Sequence, residues 1–155
     1  MRATLIALSL WLLAVPALAG GAKPFVEGSW QAIRDAHAGK PLVAHLWSLT
    51  CAPCLVELPH WARLARENPN LRIVLISTDG EEDVPRMAAT LARAGLSGLE
   101  SWHFADPFAE RLRFELDPRW RGELPRTLLV APGGDVTVVR GRGMEAVESW
   151  SARFR

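Results

Sequence analysis

From Gly39 onward, short runs of consecutive apolar residues alternate with longer stretches in which apolar side chains recur every three or four positions. The first pattern marks strands buried on both faces and the second marks helices with one apolar face, so helices layered on a sheet are expected. PLVAHLW at 41–47 and LRIVLIST at 71–78 are the clearest strands. Before them, WQAIRDAHAG predicts a helix capped by Ser29 and ended by Gly39. CLVELPHWARLAREN predicts a helix that Pro59 should kink. EEDVPRMAATLARAG carries Pro85 in its first turn and Gly95 past its end, both boundary signals of a helix. DPFAERLRF at 106–114 reads as a short helix, LPRTLLVA and DVTVVRG as a β-hairpin around Pro132-Gly133-Gly134, and MEAVESWSARFR as a C-terminal helix. With no repeat or linker between these elements, residues 20–155 are expected to form a single domain.

The first nineteen residues, MRATLIALSLWLLAVPALA, follow a different pattern. Arg2, an uncharged apolar run from Thr4 to Val15, Pro16, and the small residues Ala17 and Ala19 together read as an export signal. The run falls short of the about 20 residues a membrane-spanning helix needs, so cleavage after Ala19 is expected, with an uncleaved anchor as the alternative. Either outcome delivers the chain outside the cytoplasm, and the signal suits a bacterial periplasm. Of the 155 residues, 136 then remain; Arg2 is one of 18 basic residues and the signal holds none of the 17 acidic ones, leaving 17 against 17. A neutral chain gives no electrostatic reason to bind nucleic acid.

Both cysteines lie in one stretch, WSLTCAPCLVELP at 47–59. They could serve as a structural staple, as part of a metal site or as a redox couple. A bridge between Cys51 and Cys54 closes so short a loop that it restricts the unfolded chain very little. Structural zinc usually takes four ligands, and even with His60 a second cysteine pair is absent, so the metal reading reduces to a thiol-based copper or metal chaperone. The redox reading uses the position of the turn between a strand and a helix. There, unpaired amides and the helix dipole stabilise a Cys51 thiolate and lower its pKa from about 8.5. Cys54, one turn further in, is within reach of a mixed disulfide on Cys51, and Pro53 restricts the turn without removing an amide the helix interior needs.

Trp47 four residues before Cys51, the turn CAPC, and CLVELP with Glu57 three and Pro59 five residues after Cys54 are joined by GELPRTLLV downstream. On these features the chain from about Phe25 to its end resembles the thioredoxin superfamily and, within it, the secreted TlpA- and ResA-like branch. The resemblance implies an α/β, three-layer thioredoxin-like fold with a central mixed β-sheet flanked by helices, and a helical insertion between Asp79 and Asp106. It also implies thiol–disulfide exchange, usually reduction of oxidised substrate cysteines in the periplasm, with Cys51, Cys54 and Pro125 as catalytic residues and Pro125 as a cis-proline. Trp47, Thr50, Pro53, Leu124 and Arg126 would surround the substrate groove. No cofactor beyond the Cys51–Cys54 disulfide is implied. The partners would be substrate proteins with cysteines or disulfides and a membrane-bound electron donor, and the protein itself a monomer. A disulfide-donating oxidant of the same fold is the alternative direction.

Several positions depart from the family pattern. Thr50 stands where most members have Trp, removing part of the usual hydrophobic rim. Arg126 follows Pro125 where Thr is common, and reads either as a cation that tunes Cys51 and selects acidic partners or as a solvated strand-edge residue. His45 and Glu57 are rival candidates for proton transfer at Cys54, against a core histidine and a solvated carboxylate. His37, His60 and His103 are expected at the surface or an interface. Trp30, Trp61, Trp102, Trp120 and Trp150 are expected to be packing residues. A peroxiredoxin would need a Pro and a Thr at fixed distances before its cysteine, and no such proline is present.

Overall fold

The computed structural model describes residues 21–155, so the export signal expected over residues 1–19 lies outside the described residues. The elements are β1 (Lys23–Phe25), α1 (Ser29–Ala36), β2 (Leu42–Trp47), α2 (Ala52–Glu67), β3 (Arg72–Ser77), α3 (Val84–Arg93), β4 (Glu100–Phe104), α4 (Ala109–Leu116), β5 (Arg126–Val130), β6 (Val136–Arg140) and α5 (Met144–Ser151). They build one six-stranded sheet in the order β1-β4-β3-β2-β5-β6. Strands β1 to β4 run parallel to one another, while β5 runs antiparallel to both β2 and β6.

Strand β2 is buried along its whole length, as its unbroken apolar run predicts. Its side chains alternate between faces. Val43 and Trp47 pack with Leu58, Trp61, Met87, Val147 and Trp150, which places α2, α3 and α5 on one side. Leu42, Ala44 and Leu46 pack with Trp30, Ile33, Leu112, Leu116 and Trp120, which places α1 and α4 on the other. The result is the expected three-layer α/β arrangement. Four of the five tryptophans expected to pack are buried, and Trp102 is half-buried.

Two strands escaped the sequence pattern. Strand β1 has three residues, too few to show any period. Strand β4, ESWHF, lies within the segment read as a helical insertion, and its polar start hides it. Glu100 there accepts from Lys23 Nζ (2.9 Å) and Trp102 Nε1 (3.0 Å) and meets His37 Nε2 at 3.0 Å, so a carboxylate is tolerated because its partners come from three other positions in the chain.

The start of α1 also differs from expectation. Gly28, with φ of 86°, is its N-cap, and the hydroxyl of Ser29 accepts from Val26 N–H (2.9 Å) rather than capping the helix. Glu115 of α4 takes over: its two oxygens accept from Gly28 N–H (3.1 Å) and Trp30 N–H (3.0 Å). A carboxylate at a helix N-terminus satisfies orphan donors and complements the dipole. Replacing Glu115 by Ala is therefore expected to destabilise the protein by about 1 kcal/mol in urea unfolding; an unchanged midpoint would show that the cap contributes nothing.

Candidate active site

Strand β2 ends at Trp47 and the chain turns through Ser48–Thr50 into α2, whose N-cap is Cys51. Cys51 has extended dihedrals (φ −89°, ψ 92°), and its Sγ accepts from Cys54 N–H at 3.3 Å. That contact puts the sulfur among the unpaired amides of the first turn, where negative charge is favoured. Cys51 and Cys54 form a disulfide with their Cα atoms 5.3 Å apart. Cys51 is half-buried, whereas Cys54 is 0% exposed, so only the first sulfur is presented to a partner.

The Leu124–Pro125 peptide bond is cis. Because Leu46 pairs with Arg126, the preceding Pro125 comes level with the C-terminal end of β2, where the cysteine turn begins. Pro125 is buried, Leu124 and Pro53 are half-buried, and Thr50 is exposed. Glu57 lies three residues after Cys54 on the same helix, a spacing that sets neighbouring side chains on one face. It is 6% exposed; burial pushes its carboxyl above the usual range, opposed by the positive charges of Arg142 and His60.

Sequence reasoning missed the polar cluster that holds the turn. Asp79, just beyond β3, accepts from Ser48 Oγ (2.8 Å), Leu49 N–H (2.8 Å) and Ser77 Oγ (2.6 Å). Ser48 Oγ in turn accepts from Thr50 N–H (3.1 Å) and lies 2.9 Å from Thr50 Oγ1. The one signal available was position: Asp79 follows a parallel strand, and loops at the C-terminal ends of such strands converge on sites. Among the described residues, no group of three or more His, Cys, Asp or Glu side chains is arranged to hold a metal ion.

The fold matches solved structures. A secreted Mycobacterium tuberculosis disulfide oxidoreductase homologous to E. coli DsbE superimposes with a TM-score of 0.63 at 21% identity, covering 77% of this chain and 85% of that one. DsbF of the same organism, in mixed oxidised and reduced forms, gives 0.62 at 23% identity, covering 78% and 85%. StoA from Bacillus subtilis gives 0.51 at 19% identity, covering 74% and 84%. The protein has the thioredoxin fold. No protein-family model and no curated protein matches the chain.

Within the thioredoxin fold, three expected site residues take other positions. Trp47 is 0% exposed and packs in the same cluster as Cys54, so it lies beneath the turn instead of walling a groove. His45 is also 0% exposed, 4.4 Å from the Trp61 ring, with Nδ1 bonded to Thr127 Oγ1 at 3.1 Å. Burial pushes its pKa down to about 3, so it is neutral at physiological pH and far too weak a base to collect a thiol proton. Arg126 neither faces the thiolate nor lies solvated at a strand edge. Neighbouring residues on a strand point to opposite faces. Thr127 faces α2 through His45, and Arg126 points the other way, 2% exposed, bonded to Asp117 and 5.7 Å from the Trp120 ring. The strand hides this residue because a single step in register exchanges the two faces.

Burial raises the Asp117 carboxyl, but the bonds from Arg126 and from Arg119 N–H outweigh it and hold the group below its usual range. Replacing Asp117 by Ala leaves a guanidinium buried without its partner, and a loss of about 3–5 kcal/mol is expected by urea unfolding. A group with a depressed folded-state pKa contributes fully above its unfolded value, about 3.9. Its contribution fades as the pH falls through the lower folded value. The wild type should therefore lose stability below about pH 4, and Asp117→Asn should lack that component of the acid loss.

Proposed function

We propose that the protein is an exported, periplasmic thiol–disulfide oxidoreductase of the TlpA- and ResA-like kind that reduces disulfides in other proteins. The observation that carries this reading is the cysteine pair itself: a half-buried sulfur at the N-cap of a helix, bridged to a wholly buried one three residues later. The thioredoxin fold and neighbours described as disulfide oxidoreductases support it.

In the reduced protein, Cys51 thiolate attacks one sulfur of a substrate disulfide and expels the other as a thiolate. Cys54 then gives up its proton and attacks Cys51 Sγ, releasing the second substrate thiolate. The substrate gains two electrons and becomes a dithiol, the Cys51–Cys54 disulfide is restored, and a membrane-bound dithiol donor must return the electrons. Glu57 is the proton acceptor for Cys54: its raised pKa moves it toward a thiol's, and it lies on the same helix face. Around the nucleophile, Thr50, Pro53, Leu124 and Pro125 form the contact surface for the substrate chain.

Cys51→Ala should abolish exchange with a peptide disulfide, and Cys54→Ala should trap a mixed disulfide on Cys51; retained exchange in Cys51→Ala would sink the reading. Equilibration against dithiothreitol buffers should place the couple nearer thioredoxin's roughly −270 mV than the roughly −120 mV of a strong oxidant, and the latter value would make the protein a disulfide donor. Glu57→Gln should slow resolution of the mixed disulfide on the order of 10²-fold near pH 7 while leaving the first attack intact. Equal slowing of both steps would remove Glu57 from this role.

A further inference from the structure

With Cys51 as the exchange nucleophile proposed above, the structure assigns Asp79 as the positioning residue that holds its thiolate at the helix N-terminus. Asp79 belongs to the loop after β3 and bonds to neither cysteine, yet it holds Ser48 and Leu49 directly, and Thr50 through Ser48, in the turn that delivers Cys51. One oxygen accepts from Leu49 N–H (2.8 Å) and Ser77 Oγ (2.6 Å), the other from Ser48 Oγ (2.8 Å). Since the Ser48 hydroxyl proton goes to the carboxylate, the Thr50 hydroxyl donates to Ser48 Oγ, which also accepts from Thr50 N–H. Thr78 N–H donates to Trp47 O (3.0 Å) and ties the two loops at their base, and Cys51 N–H closes the turn on Ser48 O (3.1 Å).

Without the carboxylate, the Leu49 amide and two hydroxyls lose their shared acceptor, and the turn gains freedom between β2 and α2. The disulfide restrains the turn while it is closed. Once it is reduced, Cys51 Sγ stays near the Cys54 amide only if the backbone before it stays in place. Asp79 thus acts through geometry and most strongly in the reduced state. A negative charge near a thiolate acts in the opposite sense, raising the thiol pKa. The two contributions can therefore be separated by sign.

The test is the pH dependence of iodoacetamide alkylation of the reduced protein, with modification at Cys51 located by peptide mass mapping. In Asp79→Ala the brace is lost, and the midpoint should move up by about half a pH unit, equal to about a threefold slower reaction at pH 6. In Asp79→Asn the amide keeps an oxygen for Leu49 and Ser77 and donates to Ser48, whose hydroxyl turns to Thr50; with the brace kept and the charge gone, the midpoint should stay or move down. Glu57, Arg142 and His60 are unchanged in both variants. Downward shifts in both would make Asp79 a charge only, and unchanged midpoints with lowered Tm would make it a purely structural residue; either result overturns the assignment. If Asp79→Ala fails to fold, Ser48→Ala removes half of the network, and its midpoint must rise for the assignment to stand. Alkylation needs no disulfide substrate, so these outcomes are independent of whether the exchange reaction itself is found.

Discussion

Strand β2 is hydrogen-bonded to a strand on each side and covered by helices on both faces, and the rest of the molecule is arranged around that enclosure. A strand so placed has to be apolar throughout, and PLVAHLW is, apart from one histidine. Where it ends at Trp47 the backbone must leave the sheet. It does so over the ends of β3 and β5, directly into the first turn of α2. The exposed amides of that turn, the cysteine pair and Pro125 therefore meet at one edge of the sheet without any of them having to be carried on a long loop. The rigidity of β2 is passed to the reactive sulfur through three residues.

Three polar groups, two of them buried and Asp79 half-buried, show how the same enclosure settles chemistry. His45, Asp79 and Arg126 all lie close to the cysteine turn in sequence or by strand register. His45 faces the helix layer, finds Thr127 and the Trp61 ring, and is held neutral. Arg126 faces the opposite layer, where Asp117 and Trp120 take up its charge. Asp79 lies just past the end of β3, where backbone amides are left over by the sheet. Its carboxylate is used on the turn itself. Residue type alone suggested a base for the first and a rim cation for the second; the face of the strand decides otherwise in both cases.

Much of this was legible in the amino-acid sequence. Two continuous apolar runs, the helical periodicities between them, the boundary prolines and glycines, and the hairpin turn specify a layered α/β chain, because each is a local signal written within ten or so residues. The spacing of Cys51, Pro53, Cys54 and Glu57 likewise belongs to one helical turn or two and can be read directly. Strands β1 and β4 could not be, since three residues have no period and a strand that starts on a glutamate depends on Lys23 and His37 arriving from elsewhere.

The amino-acid sequence by itself determined the class of fold, the position of the cysteine turn between strand and helix, and the pair of sulfurs that turn presents. Tertiary structure alone decided that Glu115 caps α1, that Arg126 is buried against Asp117, that burial silences His45, and that Asp79 holds the turn. The division has one physical cause. Periodicity and turn chemistry act between residues a few positions apart, whereas the partner of a polar side chain is chosen by which faces come together. In this protein those partners lie 87, 9, 82 and 31 positions away along the chain.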